Sequence, residues 1–320
     1  MNAAEIRDHV RAGGLLREAG RDDGAVVTML SGGRDSVCLL DVTVALCGAE
    51  RVHALHVNYG LRAESGEDER HCRELCGRLG VEIEVVRAER APDAAGNMHA
   101  WARELRYAAA FELAERHDAL VAGGHTANDQ VETILYRLAA SPGRRALLGM
   151  SAREGRLVRP LLGLTRQATG DYCRELKLAW REDESNDSER YARARVRHGL
   201  LPALDAVHPA ARANVLRTAE LLREETELLD ALVDAELAGR ESIAIERLRE
   251  LPMALARLVA IRLAEHAAGT YVPQAGERVG EILALGERGG RAELHVGGLA
   301  GAVIEGGELR MVAIPPREQR

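Results

Sequence analysis

One short stretch constrains this chain more than any other. The apolar run Ala25-Val26-Val27-Thr28-Met29-Leu30 stops at Ser31-Gly32-Gly33-Arg34-Asp35-Ser36 and resumes as Val37-Cys38-Leu39-Leu40. A short run rich in β-branched residues predicts a buried strand, and the apolar spacing continued by Val42, Val44 and Leu46 predicts a helix. Glycines between them let backbone N–H groups approach an anion, the serines add donors, and the helix N-terminus contributes about half a positive charge. The segment therefore reads as a phosphate cradle, with Asp35 in reach of a metal. It has neither the lysine of Gly-x4-Gly-Lys-Ser/Thr nor the spacing of Gly-x-Gly-x-x-Gly. A bare Gly-Gly would make only a turn; the flanking serines and the strand-to-helix step favour the cradle.

The same alternation continues downstream. Residues 5–16 read as an amphipathic helix, residues 52–57, 81–86 and 119–122 as strands, and residues 65–79 and 97–116 as helices. Ser65 is expected to cap its helix, with Glu67 and Asp68 in the first turn. Strands alternating with helices predict an α/β domain, a parallel sheet with helices on both faces. Ligands in such sheets sit beyond the carboxyl ends of the strands. That rule selects the cradle, His56 and Asn58 after the second strand, and residues 123–133 after the fourth, where His125, Asp129 and Glu132 lie. Asp129 and Glu132, three apart at a helix start, are expected to share a face that suits Mg²⁺ or an ammonium. Helix capping by Asn128 or Asp129 is the alternative. Arg103, Arg106 and Tyr107 fall on one helical stripe, suited to a bidentate phosphate clamp or to surface ion pairing.

A chain of 320 residues, 46% of them hydrophobic, is long enough for a large domain over residues 1–217 and a smaller helical and β domain over residues 218–320. In the smaller one, Leu221, Leu222, Leu228, Leu229, Leu232 and Val233 have helical spacing, Pro252 opens a helix through Leu263, and strands are expected at 292–296, 302–304 and 309–314. No apolar run reaches membrane-spanning length and no basic-then-apolar leader precedes the first helix, so a cytoplasmic protein without a membrane partner is expected. Cys38, Cys47, Cys72, Cys76 and Cys173 lack Cys-x-x-Cys spacing and read as packed thiols rather than a disulfide, zinc or iron–sulfur set. The net charge of −7 argues against indiscriminate polyanion binding. Residues 141–166 and 190–217 are nevertheless locally rich in Arg, as solvated faces or as surfaces for RNA. Lys177 is the only lysine, so Arg is the default cation throughout.

Ser31-Gly32-Gly33-Arg34-Asp35-Ser36 resembles the Ser-Gly-Gly-x-Asp-Ser loop of the N-type ATP pyrophosphatase, or PP-loop, superfamily, whose Rossmann-like members adenylate a substrate and release pyrophosphate. Residues 102–107, residues 125–133, Arg159-Pro160-Leu161-Leu162, Asp183 with Ser185-Asn186, and Arg193-x-Arg195-x-Arg197-His198 before Leu201-Pro202 resemble, in that order, the tRNA(Ile)-lysidine synthetase family. The match covers residues 22–217. It implies a ligase that adenylates the C2 oxygen of the wobble cytidine in a CAU-anticodon tRNA(Ile) and then joins the ε-amine of L-lysine, changing decoding from AUG to AUA. It implies ATP as co-substrate, Mg²⁺ as cofactor, and tRNA(Ile) and lysine as partners; a homodimer is one assembly it allows.

By position, the resemblance assigns Ser31, Gly32, Gly33, Arg34, Asp35 and Ser36 to the pyrophosphate end of ATP. It places His56, Asn58, His125, Arg195 and Arg197 near the nucleotide, the last two alternatively near the tRNA backbone with His198. Arg103 and Arg106 would balance phosphate charge, Asp129 and Glu132 would lie near lysine or magnesium, and Asp35 and Asp129 would be the metal ligands. The second domain resembles the appended tRNA-binding domain of the shorter members, with a packing role as the alternative. Thr126 and Asn128 stand where the family has His and Asp, and Ala194 where it has Asn, so about one negative charge is missing from the lysine or metal site. The rival readings are a PP-loop tRNA thiolase and an ATP-binding regulator without catalysis.

Overall fold

The computed structural model describes residues 1–17, 24–61, 64–88, 98–141, 143–182 and 192–315. Asn97, Asp183, Ser185, Asn186 and Arg190, which the sequence motifs include, lie outside them. Two compact units divide between Glu220 and Leu221.

The first unit begins with helix α1 (Ala3–Gly13), strand β1 (Val26–Met29), α2 (Arg34–Cys47), β2 (Val52–Asn58), α3 (Ser65–Leu79), β3 (Glu82–Arg87), α4 (Met98–Arg116) and β4 (Leu120–Ala122). It continues with α5 (Ala127–Ala140), α6 (Arg144–Leu147), β5 (Arg153–Glu154), β6 (Leu157–Val158), α7 (Arg166–Glu175), α8 (Ala192–Arg195), a wide π turn at Val196–Leu200, and α9 (Leu201–Val207). The strands lie in the order β3-β2-β1-β4-β6-β5, all parallel except β5. Val26 of β1 stands opposite Val52 on one side and Leu120 on the other, so β1 is interior to the sheet.

Side chains of β1 alternate between two cores, as a strand's period of two requires. Val26 and Leu30 pack with Ile6, Leu39, Leu40, Leu75 and Tyr172 from the helices of one face. Val27 and Met29 pack with Ala110 and Leu113 of α4 on the other. This is the α/β sheet covered on both faces that the sequence alternation predicts. Two details differ. Ser65 is the first residue of α3 and makes no cap: Glu64 holds that position, and the Ser65 carbonyl accepts instead from Asn58 Nδ2 at 3.3 Å. The strands β5 and β6 escape a sequence reading because two residues carry no period.

In the second unit, α10 (Ala211–Leu237) contains the division point and is followed by β7 (Ser242–Ala244), α11 (Ile245–Glu250), α12 (Met253–Ala268), α13 (Gln274–Glu277) and α14 (Val279–Glu287). Strands β8 (Ala292–Gly297), β9 (Ala300–Glu305) and β10 (Glu308–Ala313) complete an antiparallel sheet of order β7-β10-β9-β8. Val259 and Leu263 of α12, Ile282 of α14 and Leu309 of β10 are buried together. Among the described residues no helix is long and apolar enough to cross a membrane.

Tyr172 ties three helices of the first unit. Its side chain is fully buried, its hydroxyl donates to Asp41 of α2, and it accepts from Arg7 Nε of α1 at 2.9 Å, while Arg7 Nη2 also donates to Asp41 at 3.0 Å. Tyr172→Phe keeps the ring but leaves the part-buried Asp41 with Arg7 as its donor and takes the acceptor from Arg7 Nε. It is expected to cost about 1–3 kcal/mol, measured as a lower urea midpoint; an unchanged midpoint would mean that water replaces the hydroxyl.

Candidate active site

The loop between β1 and α2 is organised by its own side chains. Ser36 Oγ donates to the Gly33 carbonyl at 2.8 Å and accepts from the Ser31 backbone N–H at 3.1 Å, and the two serine hydroxyls lie 3.0 Å apart. Gly33 N–H donates to Ser31 Oγ at 3.3 Å. Gly32 has φ +86°, a left-handed conformation that favours glycine, and a Cβ there would meet Cys72 Sγ at 3.3 Å. Its carbonyl accepts from Arg181 N–H at 2.9 Å, which fixes the turn from outside. Gly33 is the N-cap of α2 and gives it no side-chain cap bond. The first-turn N–H groups of α2 therefore retain the donor character of a helix N-terminus.

Asp35, in that first turn, meets the loop after β4. Gly124 permits the approach: a Cβ there would lie 3.3 Å from the backbone of Asp35 and Ser36. Thr126 is the N-cap of α5, and Asp129 Oδ2 accepts from both the Thr126 N–H and its hydroxyl, each at 2.8 Å. The cap of α5 is thus Thr126, boxed with Asp129, rather than Asn128 or Asp129. Arg166, at the start of α7, bridges the two carboxylates: Nε reaches Asp35 Oδ2 at 3.3 Å and Nη2 reaches Asp129 Oδ1 at 3.4 Å. Asn128 Oδ1 accepts from the Arg166 backbone N–H at 2.9 Å. The amide keeps the acceptor that a carboxylate would provide there and omits its charge. Thr169, one turn along α7, donates its hydroxyl to Asp35 Oδ1. Burial raises the Asp35 carboxyl above its usual range, with Thr169 and Arg166 opposing and the Asp129 charge adding to the rise.

Asp35 and Asp129 fit a hard cation in their chemistry. Both present carboxylate oxygens, each side chain about one-fifth exposed, and a positive group already sits between them. Among the described residues no three His, Cys, Asp or Glu gather as a metal site. Mg²⁺ does not require one, because it completes its shell with water and substrate phosphates.

The remaining expected residues divide into those that face this crevice and those that support it. His125 lies close enough to Asp129, Arg159, Arg103 and Arg106 to feel their charges; burial pushes it down to about 4, the arginines add to that effect, and Asp129 opposes it. Its Nδ1 is buried without a partner among the described residues. Arg103 and Arg106 lie over the Tyr107 ring at 4.5 and 5.7 Å, so the expected stripe exists. His56 is 4% exposed, with Nδ1 at 2.9 Å from the Leu30 carbonyl, beneath the cradle. Asn58 is occupied in structure, bonding Glu69 at 3.1 Å and the Gly60 N–H at 3.0 Å.

Glu132 does not share the open crevice with Asp129. It is 3% exposed and accepts a fork from Arg197 Nε and Nη2 at 2.7 and 3.0 Å, a bidentate pair that joins α5 to the π turn. Arg195 is exposed, and Arg34 Nε lies 3.8 Å from Asp35 Oδ1. Sequence reasoning missed Arg166 and Thr169 as site residues. The available signal was Thr165-Arg166 two residues beyond Arg159-Pro160-Leu161-Leu162, where the Thr165 hydroxyl caps α7 by accepting from Ala168 N–H at 3.2 Å.

The strand, the serine–glycine turn and the helix N-terminus it feeds define a class of protein. Residues 7–204 match an ATP-binding PP-loop domain, and the chain belongs to the PP-loop family. It is 38% identical over 219 residues to a tRNA(Ile)-lysidine synthase of Pseudomonas syringae pv. tomato, covering 66% of this chain and 48% of that protein. It is also 38% identical over 256 residues to a protein of the same name from Solibacter usitatus, covering 76% and 57%. The chain thus spans about half the length of the curated relatives it matches. Among solved structures, the U34-tRNA thiolase NcsA of Methanococcus maripaludis, with its [4Fe-4S] cluster, superposes at TM-score 0.56 and 19% identity over 69% of this chain and 78% of that one. That likeness is one of fold.

Two outcomes follow from the charges. Glu132→Gln takes the carboxylate from beneath Arg197 and is expected to destabilise the first unit by about 3 kcal/mol, read by chemical denaturation; a change under about 1 kcal/mol, the median for a surface pair, would place the pair among those. His125 behaves differently. Folding lowers its pKa from about 6.5 to about 4, so unfolding takes up a proton between those values. Stability from this residue is full above pH 6.5 and falls on acidification, by up to ~1.4 kcal/mol per pH unit. His125→Gln is expected to flatten the urea midpoint against pH in that window, and an unaltered slope would contradict the burial account.

Proposed function

We propose that this chain makes lysidine: it joins L-lysine, at the expense of ATP, to C2 of the wobble cytidine in a CAU-anticodon tRNA(Ile). The observation that carries this reading is the meeting of Asp35, from the cradle, with Asp129, from the loop after β4, in a PP-loop unit 38% identical to proteins named for that activity.

The triphosphate of ATP lies against the first turn of α2 and the Ser31 and Ser36 hydroxyls. The cytidine C2 oxygen attacks the α-phosphorus, the bond to the bridging oxygen breaks, and pyrophosphate leaves on the cradle. Arg103 and Arg106 offset the charge that builds on the phosphoryl oxygens. The ε-amine of lysine then attacks C2, the C2–O bond breaks, and AMP leaves with the bonding electrons. Asp129 faces the lysine ammonium and accepts its proton. His125, neutral at pH 7, adds no charge of its own among these groups. Asp35 and Asp129 would hold Mg²⁺, which would supply positive charge to the phosphates. Glu132, already forked by Arg197, positions α5 rather than meeting lysine. The second unit is assigned to gripping tRNA.

The rival reading is a PP-loop tRNA thiolase, with sulfur delivered to an adenylated base. Among the described residues, however, no cysteine set gathers for a cluster, and Cys38, Cys47, Cys72, Cys76 and Cys173 are all buried. Labelled lysine is expected to enter a CAU-anticodon tRNA(Ile) transcript with ATP and Mg²⁺, and not a methionine tRNA. Pyrophosphate release without lysine incorporation would retain adenylation and reject the nucleophile. Asp35→Ala is expected to abolish turnover with the circular dichroism spectrum intact.

A further inference from the structure

The guanidinium between the two carboxylates stands where a cation would. Asp35 and Asp129 come from different strand ends, and each has a hydroxyl donor on one oxygen, Thr169 on Asp35 Oδ1 and Thr126 on Asp129 Oδ2. The oxygens left over, Asp35 Oδ2 and Asp129 Oδ1, are the two that Arg166 contacts. Both contacts are long, 3.3 and 3.4 Å, and the arginine side chain keeps 29% of its surface exposed. The base of that side chain is fixed more firmly than its tip. The Arg166 backbone N–H is held by Asn128 at 2.9 Å, and Thr165 caps the helix on which it starts.

A firmly rooted arginine with a loosely held, partly exposed head is built to exchange partners. We propose that Arg166 is a positioning residue that occupies the divalent-cation place between Asp35 and Asp129 while nucleotide is absent, and moves its guanidinium to a phosphate oxygen when a metal–nucleotide arrives. The carboxylates then never face each other without a counter-charge, and free divalent cation is kept out until it comes with its nucleotide. Asn128 belongs to the same device: it holds the arginine's root without adding a third negative charge that would hold the head too tightly. This inference rests on the reading of the site as one for a metal–nucleotide.

The test measures cation and nucleotide binding separately, on the full chain. Mn²⁺ binding without nucleotide, followed by electron paramagnetic resonance, is expected to be at least about tenfold tighter in Arg166→Gln than in the parent, since a positive charge within contact distance is removed. Affinity for a non-hydrolysable ATP analogue at saturating Mg²⁺ is expected to fall about tenfold or more in the same variant, because a charge-assisted phosphate contact is lost. Arg166→Lys, which keeps the charge and loses the fork, is expected to resemble the parent in Mn²⁺ binding and to restore part of the nucleotide affinity. Opposite signs for the two ligands are something a merely structural arginine would not produce. Equal Mn²⁺ affinity in the parent and in a folded Arg166→Gln variant would overturn the proposal, as would loss of both affinities together. If Arg166→Gln does not fold, tight Mn²⁺ binding by Arg166→Lys would overturn it as well. A parent protein that binds no nucleotide would reject the functional reading, while the Mn²⁺ comparison would still decide the role of Arg166.

Discussion

Two carboxylates brought together from separate loops repel each other, and the site of this protein is arranged around that repulsion. Asp35 rides on the first turn of α2 and Asp129 on the first turn of α5, and the loops carrying them approach only because Gly124 has no side chain. Burial makes ionised Asp35 costlier, and the Asp129 charge makes it costlier still. Hydroxyls from Thr126 and Thr169 and the guanidinium of Arg166 offset this. Each of these groups begins or belongs to a helix, so the positions of α5 and α7 are linked to the chemistry between them.

The sheet explains why those loops meet. β1 is interior and parallel to both neighbours, so the segments after β1 and β4 leave the same edge side by side. Because both faces of β1 are buried, by α2 and its neighbours on one side and α4 on the other, the strand has little freedom to shift its register. Rigidity below the loops matters for a site that must hold acidic and basic groups close without letting them collapse together. The charges interleave accordingly: His125 feels Arg103, Arg106 and Arg159 together with Asp129, and Arg166 joins Asp129 to Asp35.

Departures from the family pattern acquire physical meaning here. Thr126, where the resemblance would have a histidine, caps α5 through a box with Asp129; Asn128, where it would have a carboxylate, accepts from the start of α7. Each of these residues makes its hydrogen bond through a side chain that carries no charge. By contrast Glu132, three residues from Asp129, was legible as a helical neighbour and not as a buried one. Its partner Arg197 lies far along the chain, and no periodicity encodes that fork.

Local pattern was sufficient for much of this protein. β-Branched runs, glycine-bearing turns and helical spacing identified the parallel sheet, the cradle and the segments that carry Asp35, His125 and Asp129, because those signals arise within a few residues of chain. Strands as short as β5, β6 and β7 left no such signal. What the tertiary structure alone decided is which charges meet. It paired Glu132 with Arg197, occupied Asn58 with Glu69, and set Arg166 between Asp35 and Asp129, contacts that depend on how separate elements pack and on the burial that makes each charge need a partner.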